Sequence, residues 1–277
     1  MITSRALKRF AGWAIVTALL ALTVGPVLWV VLSSVKTARE IIASPPTLFP
    51  NTITLQQYRE LLFETDFFLQ LRNSLTIGVG TTVATTLIVV LAALGAYRGR
   101  LGWLRSLKFV AILAFVFPTT LLVVPIYEVL ASLDLINSHA GLILVNTMLT
   151  APFAFWLIEG FLDAVPREIE EAAIVDGAGR WDIYLRVILP LIGPGLGTIS
   201  VYTFITTWTE FTFSSILLID RSLKTLPMGL ADILASYNID WGLLTSNTTL
   251  AMLPGIVFFA FAGRLFVKGL VTGALKA

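Results

Sequence analysis

Six stretches of this chain contain no charged side chain, and each is long enough to cross a lipid bilayer. Each stretch contains 19 to 26 residues, and the six run through residues 10–35, 73–97, 109–127, 135–158, 187–209 and 241–263. A membrane-spanning helix needs about 20 predominantly apolar residues. We therefore predict an all-α, polytopic membrane protein with six transmembrane helices, near residues 11–33, 73–97, 107–130, 140–160, 192–218 and 248–268.

Composition supports a bilayer as the solvent. Hydrophobic residues make up 57% of the 277 and charged residues only 13%, whereas soluble domains carry about 25% charged residues. With neither a repeat nor a flexible linker in view, we predict one membrane domain over residues 1–277. Its large polar segments are two external loops, about 36–72 and 219–247, and a cytoplasmic loop, about 161–190.

The distribution of basic residues predicts the orientation. Lys and Arg are enriched in the cytoplasmic loops of membrane proteins. If the N-terminus is inside, 13 of the 19 basic residues lie on the inner side. The external side then carries the other six: Lys36, Arg39, Arg59, Arg72, Arg221 and Lys224. We therefore predict that both termini and the 161–190 loop face the cytoplasm.

The 161–190 loop is the most polar module of the chain, and its pattern predicts two short helices. Pro166 suits the first turn of a helix, where a missing N–H does no harm. Gly177 can adopt the left-handed conformation that ends this helix. A second helix is expected from Arg180 to Leu189, before Pro190 breaks the path into the fifth span. Between membrane spans, such a module predicts a docking surface for a soluble partner.

The residues of this loop resemble those of a known family. Glu171, Ala172, Ala173, Asp176, Gly177, Ala178 and Pro190 all match a motif of fixed spacing. The stretch is similar to the coupling loop in permease subunits of binding-protein-dependent ABC importers. The resemblance covers most of the chain. Weaker matches to the smaller, maltose-type permease of the carbohydrate subfamily occur at residues 48–58, 73–74, 225–230 and 264–277.

The resemblance implies a set of partners in a prokaryotic inner membrane. A second permease would complete the pathway, a pair of ABC ATPase subunits would sit beneath, and an extracytoplasmic solute-binding protein would deliver a sugar, oligosaccharide or related polyol. The seven motif residues would then couple ATP hydrolysis to transport. ATP and Mg would bind the ATPase, and this chain would bind no cofactor itself. No nucleic acid is expected as a partner.

The residues themselves argue against chemistry in this chain. None of the six Lys residues follows a Gly, so the Gly-Lys-Ser/Thr loop that cradles phosphates is absent from the sequence. The chain contains no Cys and only one His, His139, which excludes a thiolate or multi-His metal site. We therefore expect no catalytic residue and no metal site.

Five residues at membrane depth are candidates for the substrate pathway. Trp208, Glu210 and Phe211 lie in a stretch that resembles a Trp-Asn-Glu-Phe segment of the family, with Thr209 in place of the usual Asn. Pro118 and Pro125 could unwind a pore-lining helix and expose its backbone, or could simply kink that helix. The two prolines therefore have both a functional and a structural interpretation.

Two other functions remain open from the residues alone. An acid at membrane depth is costly and is a functional hypothesis by default. Glu128 or Glu210 could therefore be the proton site of a secondary transporter, or each could be a hydrated residue at a helix end. A second alternative is a membrane scaffold or sensor that signals through the 161–190 loop, here called the inner module.

Overall fold

The computed structural model describes residues 2–97, 113 and 117–274, with side chains described for 9–10, 12–97, 113 and 117–261. Helices account for almost all regular structure in these ranges, which confirms the all-α prediction. The long helices are α1 (Ile2–Ser33), α4 (Phe67–Ala96), α6 (His139–Asp163) and α12 (Trp241–Ala274). Each is apolar and long enough to cross a membrane.

Shorter helices connect the long ones. They are α2 (Ala38–Ile41), α3 (Gln56–Glu64), α5 (Val123–Ser132), α7 (Arg167–Val175), α8 (Arg180–Leu191), α9 (Gly193–Trp208), α10 (Thr212–Leu217) and α11 (Leu226–Leu234). Single 3-10 turns lie at Thr119–Leu122 and Arg221–Leu223.

The described residues match the six predicted spans to different degrees. Four helices qualify as spans, and α8 with α9 makes a fifth if that bent pair is counted as one. Residues 107–112 and 114–116 of the predicted third span, 107–130, lie outside the described residues, and its described part contains the 3-10 turn at Thr119–Leu122 and the short apolar α5. The predicted fifth span, 192–218, is not one continuous helix, because α9 ends at Trp208 and α10 begins at Thr212.

The chain divides into two compact units. One contains Met1–Phe68 and Gly229–Leu253, and the other contains Leu69–Met228 and Pro254–Ala277. In the first unit, Tyr58 shares a hydrogen bond with Ser34, and Gln57 donates one to the carbonyl of Lys36, which attaches α3 to the end of α1. The Lys36 side chain is buried, donates to the carbonyl of Thr47 and lies 4.6 Å from the ring centre of Trp29.

Two apolar clusters form the core of the second unit. One joins α4, α6, α8 and α9 around Ala154, Ile158 and Ile199. The other joins α4, α5, α6 and α10 around Ile77, Leu142 and Leu217. Gly195 allows α9 to approach α6 closely, since a Cβ there would lie only 2.7 Å from the Phe161 ring. These contacts fix how the polar module at 161–190 joins the membrane helices.

Candidate functional site: the inner helical module

The module at 161–190 contains the two short helices that the sequence predicts. Pro166 immediately precedes α7, and Glu168 and Glu170 occupy its first turn, where carboxylates favour the positive end of the helix dipole. The chain then turns at residues 176–179 into α8. Glu170 is buried, whereas Glu171 on the next position is exposed. The helix therefore turns Glu171 away from the rest of the chain.

A Schellman motif ends α7 and fixes the direction of the turn. The N–H of Ala178 donates to the carbonyl of Ala173, and the N–H of Gly177 donates to that of Ile174, both at 3.0 Å. Gly177 has a φ of 81°, which confirms the predicted left-handed conformation. The absence of a side chain lets glycine adopt this conformation at little cost.

Two of the three motif alanines pack inward. Ala173 and Ala178 are partly buried against the core cluster around Ile158, and only Ala172 is exposed. The small size of Ala173 and Ala178 lets the turn sit close to the chain's own helices.

The outer surface of the module combines apolar and acidic side chains. Glu171, Ile174 and Val175 share one side of α7 at the i, i+3 and i+4 positions. Val175 is 86% exposed and Trp181 is 68% exposed. Asp176 is also exposed. Large apolar groups presented next to carboxylates on a polar loop are typical of a protein-docking surface.

The helix α8 changes its winding in a way that the sequence pattern missed. Residues Ile183–Ile188 form a π-helix, with wider turns than the flanking α-helical residues. Tyr184 and Ile188 are buried, whereas Trp181 and Leu185 are exposed. The Arg180 guanidinium lies 5.7 Å from the ring centre of Tyr184.

A sharp bend connects the module to the membrane helix α9. The axes of α8 and α9 differ by 68°. Pro190 lies in the last turn of α8, and Pro194 lies in the first turn of α9. Both positions agree with the expected break before the fifth span.

The candidate pathway residues near Glu210 form a helix break. Glu210 lies between α9 and α10, and its carboxylate accepts hydrogen bonds from the N–H groups of Phe213 (2.6 Å) and Ser214 (3.0 Å). Phe211 occupies the N-cap position of α10 and is exposed, while Trp208 stacks on Phe204 with ring centres 5.4 Å apart. The Glu210 carboxylate thus caps α10.

The other membrane-depth candidates have simple surroundings. Pro118 precedes the 3-10 turn and Pro125 lies in the first turn of α5, so neither interrupts a described helix. Pro125 lines an apolar groove of about 200 Å³ with residues that include Leu122 and Met148. Such a lining offers little to a polar solute. Glu128 is exposed on α5.

Two residues near the start of α4, Asn73 and Ser74, have a positioning role that spacing alone did not reveal. Asn73 donates hydrogen bonds to the carbonyls of Ser222 and Lys224, at 2.8 and 2.9 Å. Ser74 accepts one from the N–H of Leu226 at 2.8 Å. Asn73 and Ser74 therefore hold the segment that leads into α11 against α4, although 149 to 152 positions separate the bonded residues in sequence.

Comparison with known proteins places this geometry in a family. The family model described as "Binding-protein-dependent transport system inner membrane component" matches residues 86–272, which include the whole inner module. The chain is 30% identical over 251 residues to the sulfoquinovosyl glycerol transport system permease protein of Agrobacterium fabrum, covering 91% of this chain and 88% of that relative.

Further relatives agree in length and fold. The chain is 31% identical over 266 residues to a diacetylchitobiose uptake system permease protein of Streptomyces coelicolor, covering 95% of this chain and 96% of that one. A solved structure of a bacterial ABC transporter involved in the import of the acidic polysaccharide alginate superposes with a TM-score of 0.80. Its identity is 18%, with 95% of this chain and 98% of that chain covered.

Proposed function

The chain belongs to the family of binding-protein-dependent transport system inner membrane components, and from that premise we propose that it forms one half of a carbohydrate-import pathway driven by a separate ABC ATPase. The substrate class is a sugar, oligosaccharide or related polyol. Relatives of nearly the same length are named for the transport of sulfoquinovosyl glycerol and diacetylchitobiose, which supports this class.

The observation that carries the coupling proposal is the exposed surface of α7 and the following turn. Glu171, Ile174 and Val175 point away from the chain's own core, and the Schellman turn at Gly177 holds them in a fixed orientation. Apolar side chains would fill a groove on the ATPase, and Glu171 would pair with a basic residue there. Asp176 extends the acidic edge of this surface.

The inner module would transmit force through a short chain of packed elements. Ala173 and Ala178 pack on the core cluster that also contains Tyr184, Ile188 and Ile199. Movement of the module by the ATPase would therefore reach α9 through α8 and the bend at Ile192. The chain needs no catalytic group for this role, and ATP and Mg would bind the ATPase partner.

Remaining partners and location follow from the same proposal. A second permease would supply the other half of the pathway, and a solute-binding protein would deliver substrate from outside the inner membrane. Both termini would face the cytoplasm, where ATP is available. The Glu210 carboxylate caps α10, so no observation favours the proton-coupled alternative.

Reconstitution tests this proposal directly. The chain, the second permease, the ATPase pair and the binding protein encoded beside it would be placed in proteoliposomes, and uptake of labelled saccharides and ATP hydrolysis would be measured. We expect both activities in the complete complex and neither from this chain alone. Glu171→Lys is expected to weaken ATPase association at least tenfold, since it places a cation against a basic partner surface.

Glu168→Lys provides a matched control. Glu168 is also exposed on the same side of α7, but it lies one turn nearer the start of the helix and is therefore farther from the Gly177 turn than Glu171 is. The same charge change there is expected to leave association within about twofold, as for a charge outside the buried contact. Equal effects of the two substitutions, or accumulation of solute by this chain alone under a proton gradient, would contradict the proposal.

A further inference from the structure

Five buried polar side chains on α4, α6 and α9 have atoms without a hydrogen-bond partner among the described residues. They are Thr81 in α4, Asn146 and Thr147 in α6, and Thr203 and Thr207 in α9, here called the polar layer. Each is more than nine-tenths buried. The four Thr hydroxyls and the Asn146 amide nitrogen make no hydrogen bond to any other described residue. An unpaired polar group inside a membrane protein is costly, so its retention needs an explanation.

The helix contacts bring these side chains to a similar depth. Thr85 and Thr150 share a hydrogen bond at 3.1 Å, and a Cβ on Gly80 would lie 2.8 Å from Ile143, so α4 and α6 run in parallel. Thr81 therefore lies near the level of Asn146 and Thr147. Gly195 packs against Phe161, and the rings of Phe153 and Tyr202 lie 4.3 Å apart, so α9 runs antiparallel to α6. This places Thr203 and Thr207 within about two helical turns of Asn146 and Thr147.

Neighbouring threonines on the same helices behave differently. Thr82 donates to the carbonyl of Gly78, and Thr150 donates to that of Asn146, both at 2.7 Å. A hydroxyl bonded one turn back along its own helix needs no other partner. The hydroxyls of Thr81 and Thr147 lie one and three positions away from these residues but lack this bond. The polar layer thus offers hydrogen-bonding capacity that its own helices do not use.

The chemistry of the polar layer suits uncharged hydroxyl groups. A Thr hydroxyl both donates and accepts, and the Asn146 amide nitrogen donates. The layer's five residues include no charge, and the nearest acid along α9, Glu210, is engaged in capping α10. The ring of Phe204, between Thr203 and Thr207 in sequence, is already stacked on Phe258 at 4.0 Å and on Trp208 at 5.4 Å.

The helix α9 is the element that could open the layer. It is separated from α8 by the 68° bend and from α10 by the break at residues 209–211. Its contact with α4 is apolar, since a Cβ on Gly78 would lie 3.0 Å from the Phe204 ring. A 16-residue segment with a break at each end can move as a unit.

From these observations we propose that the polar layer is this chain's subsite for the hydroxyl groups of an uncharged saccharide, exposed to the pathway when α9 moves away from α4. This inference rests on the proposed function and narrows its substrate class from carbohydrates in general to neutral ones. A substrate hydroxyl then forms the hydrogen bond that each of these atoms lacks in this structure.

Conservative Thr→Val substitutions in the reconstituted complex test the proposal. Valine keeps the shape of threonine and removes the hydroxyl. We expect Thr81→Val, Thr147→Val and Thr203→Val each to reduce the rate of uptake by about threefold to tenfold, the factor of one neutral hydrogen bond. The thermal unfolding temperature of each variant is expected to stay constant or rise, because an unpaired buried hydroxyl has been removed.

Thr82→Val is the matched control, since its hydroxyl already bonds within α4. We expect it to leave uptake unchanged. If the polar layer has only a structural role, the three test variants should show unchanged uptake, again with a constant or raised thermal unfolding temperature. That result would overturn the inference. Reduced uptake accompanied by a lower thermal unfolding temperature would also count against it, because misfolding would then account for the loss of uptake.

The choice of probes separates this inference from the proposed function. Wild-type complex would be offered neutral disaccharides (trehalose, maltose and diacetylchitobiose) and uronic-acid disaccharides of the same size. Uptake of a neutral sugar supports both statements, and that sugar is then used for the variants. Uptake of the acidic disaccharides alone would overturn the neutral subsite and leave carbohydrate import intact. Uptake of no saccharide would overturn the proposed function together with the subsite.

Discussion

The carboxylate of Glu210 accepts a hydrogen bond from the N–H of Phe213 at 2.6 Å, with Ser214 as a second donor at 3.0 Å. The acid that most invited a proton-carrying role in the sequence is thereby the cap of a short helix. A carboxylate that accepts from two N–H groups at a helix start satisfies two of the donors that every helix leaves unpaired there. Its position explains the break between α9 and α10.

Substitutions at Glu210 should separate capping from proton transfer. Glu210→Ala removes the acceptor and is expected to reduce the free energy of unfolding by about 1 kcal/mol, as for other lost N-caps. Glu210→Gln keeps an acceptor oxygen and should retain most of the stability and of the ATP-driven uptake. Uptake by the wild-type complex should not change when a protonophore collapses the proton gradient. Complete loss of uptake in Glu210→Gln, with normal stability, would restore the proton-transfer hypothesis.

The turn at Gly177 permits a test of coupling that depends on backbone conformation alone. A side chain at Gly177 would meet no atom within 4 Å, so any penalty comes from its φ of 81°. Gly177→Val should therefore distort the turn at a cost of about 1–2 kcal/mol or more, with reduced ATPase association and uptake. Gly177→Asn should be tolerated better, because Asn adopts the left-handed region more readily.

Gly179→Ala is the control for that series. Gly179 has a φ of −70°, and a Cβ there would lie 3.4 Å from Asp182, an ordinary contact. ATPase pull-down and uptake should match wild type. A loss in Gly179→Ala as large as that in Gly177→Val would show that the loop tolerates no substitution, and the argument from backbone conformation would be wrong.

The sequence predicted those features that depend on apolar length and on single-residue conformational preference. The spans around α1, α4, α6 and α12 were found because each carries a long charge-free run, although the helices extend past these runs. Arg72, for example, lies inside α4 and is exposed near its outer end. The turn at Gly177 was found because a glycine follows an amphipathic helix.

Features that depend on distant partners or on altered winding could not be predicted. The bonds from Asn73 to Ser222 and Lys224 join positions about 150 residues apart, a pairing that no local pattern encodes. The π-helix at Ile183–Ile188 has wider turns than an α-helix, and Leu185 is exposed beside the buried Tyr184. The sequence pattern predicted an ordinary helix there.

Acidity should loosen the loop that follows α1. The Glu40 carboxylate accepts hydrogen bonds from the N–H of Asn51 (2.7 Å) and from the hydroxyl of Thr47 (2.9 Å). The pKa of Glu40 is lowered chiefly by the Asn51 backbone bond. A carboxyl whose pKa is lower in the folded state stabilises that state above its unfolded pKa, and this contribution is lost as the pH falls through the folded value. Protease cleavage of residues 41–52 should therefore accelerate at acidic pH.

Glu40→Gln tests that assignment, since the amide retains an acceptor but does not titrate in this range. Its cleavage rate should lose the acid-dependent component seen in the wild type. The pKa of Glu60 shifts in the opposite direction to that of Glu40. It is raised by burial and then by the charges of Asp240 and Glu64. The Glu60→Gln variant should therefore keep the acid sensitivity of residues 41–52. Identical pH profiles for wild type and Glu40→Gln would refute the role of Glu40.

The topology can be tested with single cysteines, because the chain has none of its own. Val175 lies on the inner module and Tyr237 on the opposite predicted side, and both side chains are highly exposed. Val175→Cys and Tyr237→Cys should therefore react equally with a thiol reagent once the membrane is permeabilised, which controls for accessibility. With a membrane-impermeant reagent added outside intact spheroplasts, Tyr237→Cys should react and Val175→Cys should not.

The inner module must face the cytoplasm to reach an ATPase that uses cytoplasmic ATP, and the excess of basic residues on that side predicts the same orientation. Labelling of Val175→Cys from outside would show that the predicted topology is reversed. Coupling through Glu171 and Gly177 would then have no physical basis.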